Sequence, residues 1–96
     1  MDIKFKWHDG KNKINKQKHD ISFEEAQTIF LDENARMIHD PDHSHDEDRF
    51  ILLGMSIKLR VLVVCHCYKE AVNMIRIISA RKATKTEQKE YFKDIV

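Results

Sequence analysis

The run Ile75-Arg76-Ile77-Ile78-Ser79-Ala80-Arg81-Lys82-Ala83 sets three cations in and just after a β-branched, strand-like segment. Arg76 interrupts an apolar run, where a guanidinium is tolerated only if it reaches solvent, a carboxylate or a phosphate. Arg81 and Lys82 stand where the strand hands over to a helix start at Thr84, and a helix N-terminus itself favours anions. A phosphate-bearing ligand fits this cluster; solubilising charge on a strand end is the competing reading. His66, on the preceding strand, has an intrinsic pKa of about 6.5 and can act as acid or base. Its competing reading is a polar interruption at a solvent-facing position. With Arg60 as a further phosphate candidate, these residues hold the parts needed to cleave RNA without a metal. A base takes the 2′-OH proton, a cation stabilises charge on phosphate, and an acid protonates the leaving 5′-oxygen.

Whether His66 and Arg76 meet depends on register. Val61 to Tyr68 and Val72 to Ser79 read as an antiparallel hairpin across Lys69-Glu70-Ala71. With that three-residue link, 66 opposes 74 and 64 opposes 76, and the two side chains share a face. With a four-residue link they do not, because a one-residue slip turns a side chain to the other face. The sequence leaves both open.

The elements that must position these groups follow from periodicity. Ile3, Phe5 and Trp7 alternate with Lys4 and Lys6 as a short half-buried strand. Residues 9–19 read as an exposed, Lys-rich helix anchored mainly by Ile14. Ser22-Phe23-Glu24-Glu25 has the form of a capping box, and Ala26, Ile29 and Phe30 follow at helical spacing. Ala35 to His39 reads as a short strand, Pro41 as a turn and 42–48 as a charged connection. Arg49 to Ser56 alternates again. Thr84-Lys85-Thr86-Glu87 is a second capping box, opening a helix that carries Tyr91, Phe92 and Ile95. The order β-α-α-β-β-β-β-α predicts a single α+β domain over residues 1–96, a small antiparallel sheet with two N-terminal helices and one C-terminal helix on one face.

Composition narrows the function classes. The net charge of +1 conceals +4 over residues 1–19, −9 over 20–48 and +6 over 49–96. An acidic middle between basic ends allows a nucleic-acid surface on one side of the molecule. No apolar run is long enough to span a membrane, and the N-terminus lacks a signal-peptide core. Cys65 and Cys67, two apart on one strand, sit at or beyond the reach of a relaxed disulfide and fit a reducing cytoplasm. There is no Gly-rich phosphate loop, nucleophile elbow or His-Glu-x-x-His. The stretch His39 to Asp48 holds three His and five of the acids, but its spacing matches no zinc module. No cofactor or metal is expected.

Lys18-His19 followed by Ile21-Ser22-Phe23-Glu24-Glu25-Ala26 resembles the N-terminal signature of the BrnT toxins. The likeness continues through Asp40-Pro41-Asp42-His43-Ser44, Glu47-Asp48-Arg49-Phe50, Gly54 and Val63-Val64-Cys65-His66. It is strongest at Arg76 to Thr84 and ends at Glu90-Tyr91. Asp20 replaces the usual Gly after Lys-His, which requires Asp to accept a left-handed or Asx-type turn. The resemblance implies a RelE-like fold and a metal-independent endoribonuclease that arrests translation in the cytoplasm. It implies RNA as substrate and a BrnA-type ribbon-helix-helix antitoxin, in a heterotetramer that binds operator DNA through the antitoxin. It places Arg76, Arg81, His66 and Lys82 in the catalytic set, and Arg60, Tyr91 and Lys85 among the RNA contacts. A non-catalytic module using the same basic surface is the alternative.

Overall fold

A computed structural model describes residues 2–38 and 49–95. The elements are β1 (Lys4–Lys6), α1 (Asp9–His19), α2 (Phe23–Gln27), a 3₁₀ turn (Thr28–Leu31), β2 (Arg36–Ile38), β3 (Arg49–Met55), β4 (Val61–Lys69), a second 3₁₀ turn (Glu70–Val72), β5 (Met74–Lys82) and α3 (Lys85–Phe92). The order along the chain is the expected one. The sheet runs β1-β5-β4-β3-β2, and β2 to β5 form the antiparallel meander. β1 departs from it: Lys4, Phe5 and Lys6 pair in parallel with Met74, Ile75 and Arg76, so the sheet is mixed.

The helices also divide between the two faces rather than sharing one. Ile21, Phe23, Ala26 and Ile29 from the α2 segment pack on Leu52, Leu62, Val64 and Ile77. The alternate side chains Leu53, Val61 and Val63 pack with Tyr91 of α3 on the opposite face. β4 explains the split. Val61 through His66 are all buried, as a strand covered on both sides must be.

Local signals set the helix ends. Ser22 accepts the Glu25 amide at 3.0 Å, but the Glu25 carboxylate does not return to complete a capping box. Ser56 and Arg60 take it instead. Thr84 and Glu87 form the complete box, with bonds of 3.2 and 2.8 Å. Asp20 closes α1 at φ 60° and donates its amide to Lys16 O at 2.9 Å, the left-handed turn its side chain tolerates better than most. Gly54 lies where 3₁₀ turn and sheet meet: an added Cβ would lie 3.0 Å from Ala35 Cβ and 3.1 Å from Ile29 Cβ.

The anchor of α1 is Asn15, not Ile14. Ile14 is 62% exposed, whereas Asn15 is buried. Its amide donates to Ile21 O (2.8 Å) and Ala80 O (2.9 Å), and its carbonyl accepts from Ala80 N (3.1 Å). β1 covers the outer edge of β5 only from Met74 to Arg76. Beyond that point Asn15 gives Ala80 the pair of bonds a neighbouring strand would have supplied. Burying an amide without partners is expensive, so all three bonds are needed to hold it there.

Candidate nucleic-acid interface

The β4–β5 hairpin fixes which candidates share a face. Its link is four residues, Glu70 to Asn73, closed by Asn73 in the left-handed region at φ 49°. Lys69 pairs with Met74, Cys67 with Arg76 and His66 with Ile77, and a bulge follows between Cys65 and His66. Arg76 and His66 therefore lie on opposite faces. Arg81, opposite Val63, shares the Arg76 face; Lys82, opposite Leu62, is exposed on the other.

The face carrying Arg76 is half covered. α3 lies over Leu53, Val61 and Val63 and is pinned at three places. Arg81 holds Glu87 through two bonds of 2.7 and 2.9 Å. Arg36 pairs with Glu90 and Asp94, and Tyr91 donates its hydroxyl to Asp32 at 2.6 Å. The Arg81 bonds draw the Glu87 carboxyl down to about 2 despite its partial burial. Burial, then the Asp32 bond and charge, push the Tyr91 phenol up to about 12.

Beyond α3 no described element covers this face of the sheet, and register lines up its cations. Lys6, Arg76, Cys67 and Arg49 form one row across four strands. Lys4, Met74 and Lys69 form the next row on that face. With strands about 4.8 Å apart, the row from Lys6 to Arg49 spans about 14 Å. Among the described residues of these two rows there is no carboxylate. Arg76 is exposed, with no ion pair or side-chain hydrogen bond among the described residues. Lys6 and Arg49 were not singled out from sequence. Their place in the row follows from the parallel pairing of β1 and the β3–β4 register, which alternation alone does not reveal.

Three sequence candidates sit elsewhere. His66 is 2% exposed, edge-on to Phe30 at 4.8 Å and tilted against Phe50 at 6.0 Å. A carbonyl can only accept, so Nδ1 carries the proton it donates to Val64 O at 3.3 Å. Burial lowers the His66 pKa, more than the Val64 contact raises it, and the ring is neutral at pH 7. It is a core side chain rather than a solvent-facing one. Arg60 is committed to Glu25 through Nε and Nη2 and to Asp20 O at 3.0 Å, and Tyr91 is buried beneath α3. Lys85 is exposed at the start of α3. Cys65 and Cys67 are free thiols. No group of three or more potential metal ligands occurs among the described residues, and the His39 to Asp48 stretch lies outside them.

The neutral His66 sets a pH test. Its folded pKa lies below its unfolded value of about 6.5, so the unfolded chain binds the proton first as pH falls. The stability His66 contributes is thus full above about 6.5 and is lost as pH drops through the folded value. His66→Leu, close in volume, is expected to change stability by less than about 1.5 kcal/mol at pH 7.5. It should also flatten the fall in urea midpoint between pH 7.5 and 5.5, and leave RNA cleavage intact. Lost cleavage at an unchanged midpoint would return His66 to the catalytic set.

The family of ribonuclease toxins named BrnT, of type II toxin–antitoxin systems, matches residues 7–87. The chain belongs to the BrnT family. Its fold matches the crystal structure of the Brucella abortus ribonuclease toxin BrnT, with a TM-score of 0.67 at 20% identity, covering 88% of this chain and 100% of that one. No curated protein matches significantly. As a type II toxin of the BrnT family, the protein has RNA as substrate and an antitoxin as partner. Among the described residues, no helix is long and apolar enough to cross a membrane.

Proposed function

We propose that this BrnT-family ribonuclease is a metal-independent endoribonuclease that cleaves RNA by 2′-OH attack, arrests translation in the cytoplasm, and is neutralised by a BrnA-type antitoxin. The observation that carries the reading is the register that sets Lys6, Arg76, Cys67 and Arg49 in one row, with Lys6 and Arg76 exposed and no carboxylate among the described residues of the row. Arg76 grips the scissile phosphate and stabilises the charge that builds on it, while Lys6 holds a flanking phosphate. Proton transfer falls to groups on the same face, where Lys6, Cys67 and Ser79 lie closest in register to Arg76. Arg81 acts through Glu87, holding α3 at the edge of the site. Lys82 and Lys85 add cations at the periphery for the passing strand. The antitoxin joins the toxin in a heterotetramer that binds operator DNA through its ribbon-helix-helix half.

The experiment is direct. Purified protein incubated with single-stranded RNA in EDTA should generate new ends bearing 5′-OH and 2′,3′-cyclic phosphate, the products of 2′-OH attack. Retention of RNA should weaken steeply with salt. Intact RNA, or cleavage only after a divalent metal is restored, would overturn the reading. Salt-sensitive retention with no new ends would select the non-catalytic module instead.

A further inference from the structure

The C-terminal helix and the turn after it carry Lys85, Lys89 and Lys93 beside Glu87, Glu90 and Asp94. The structure treats the two signs differently. Glu87 is held by Arg81, and Glu90 and Asp94 lie 3.5 and 3.6 Å from Arg36. All three acids are thus spent on arginines of the sheet. None of the three lysines has an ion pair among the described residues. What α3 offers a partner is therefore positive charge.

Beside it runs a groove of about 430 Å³ between α3, the Thr28–Leu31 turn and the β3–β4 turn. Leu31, Ile57, Tyr91, Phe92 and Ile95 line it, and the one carboxylate among the described residues of its wall, Asp32, is taken up by the Tyr91 hydroxyl and the Met55 amide. Leu31 is 84% exposed and Ile57 76%, and Phe92 and Ile95 are exposed as well. Among the described residues nothing covers these apolar side chains. Lys89 stands one helical turn before Phe92 on the same side of α3, Lys93 directly follows it, and Lys58 directly follows Ile57. An apolar floor with a rim of cations excludes a ligand that is only apolar or only anionic. RNA would satisfy the lysines but gain little from an aliphatic floor of Leu31, Ile57 and Ile95. A helix with an apolar stripe flanked by Asp and Glu satisfies both.

We infer that this groove is the docking site for an acidic amphipathic helix of the antitoxin. Its anchors at i, i+3 or i+4 and i+7 lie on Leu31, Ile57 and Phe92, and its acids meet Lys58, Lys89 and Lys93. The inference rests on the toxin–antitoxin reading for the source of that helix, but not on the ribonuclease chemistry.

The probe is the product of the reading frame adjoining the toxin gene, purified separately and titrated calorimetrically into the full chain. One variant removes the floor, Leu31→Glu with Ile57→Glu; another reverses the rim, Lys89→Glu with Lys93→Glu. All four positions are exposed and outside the RNA face, so folding and RNA cleavage should persist. Each pair is expected to weaken binding at least about 30-fold, the scale of a lost interface hot spot. If the floor variant fails to fold, the rim variant still decides. Wild-type affinity in both variants, or no binding by the wild type, overturns the inference. So does loss of RNA retention with partner binding intact, which would make the groove an RNA surface. Dissociation of a toxin homodimer by the floor variant, with partner binding intact, would assign the groove to a second copy and overturn it too. Binding is read without cleavage: groove-dependent capture by a protein that leaves RNA intact would support the docking site and sink the ribonuclease reading alone.

Discussion

Arg76→Ala should lower the rate of RNA cleavage about 10²- to 10³-fold, as loss of one preorganised donor to a charged transition state does. Stability should change by no more than about 0.5 kcal/mol, because the side chain is exposed and bonds to none of the described residues. The loss should fall mainly on kcat if the guanidinium grips the phosphate as its charge grows, and on KM if it only holds the ground state. Arg76→Lys keeps the charge but not the planar two-pronged grip, and should recover only part of the rate. Arg81→Ala is the informative contrast. It removes both bonds to Glu87 and loosens the first turn of α3, so its effect should register in the thermal midpoint as well as in the rate. Equal rates for Arg76→Ala and wild type, measured on RNA in EDTA, would remove the open sheet face from consideration.

The reason Arg76 could be singled out from sequence while its neighbours could not lies in what one strand reveals. An arginine flanked by Ile75, Ile77 and Ile78 announces that one face is wet. The identity of its row-mates depends on pairing across three other strands. The hairpin tip decided one part of that: Asn73 in the left-handed region lengthens the link to four residues, and the bulge beside His66 shifts the register again. Asn is among the residues that accept that conformation, but its presence at 73 does not by itself say that the turn uses it. The parallel seat of β1 beside β5 was equally hidden, since alternation at Ile3, Phe5 and Trp7 says which face is buried but not which strand is adjacent. Lys6 entered the site by that route.

Other features were legible and show what periodicity reads well. The caps at Ser22 and Thr84, the alternation of Arg49 to Met55, and the left-handed Asp20 all express local chemistry that tertiary structure kept. Burial on both faces of Val61-Leu62-Val63-Val64-Cys65-His66 was missed: the run reads as one strand of a sheet with helices on a single face and His66 in solvent, whereas six buried residues in a row need cover on both sides. Asn15 is the instructive miss. A hydrophobicity pattern counts it as surface, yet its amide matches a peptide unit's donor and acceptor and can complete an unpaired strand edge.

Arg60→Ala should destabilise the fold by about 3 kcal/mol, the lower part of the range for breaking a buried ion pair. Glu25 is 4% exposed, and Arg60 bonds both of its carboxylate oxygens while Ser56 donates to one at 2.7 Å. Burial alone would raise the Glu25 pKa, but the bonds from Arg60 and Ser56, with the charge of Arg60, outweigh it and hold the group below the ordinary carboxylate value. Its folded value is depressed, so the stability it brings is present above the unfolded pKa of about 4.5 and is lost as pH falls through the folded value. Removing Arg60 reverses the sign. Burial then raises the folded pKa, and the variant regains stability by protonating Glu25 as pH falls. The gap between variant and wild-type urea midpoints should therefore narrow from pH 7.5 to pH 4.5. Glu25→Gln in the Arg60→Ala background should recover part of the loss at neutral pH, since a neutral amide is cheaper to bury than an unpaired carboxylate. The same measurement separates two roles for Arg60. A clamp between the α2 segment and the β3–β4 turn moves the midpoint and leaves cleavage by the folded fraction unchanged. An RNA contact would do the opposite, lowering retention at an unaltered midpoint.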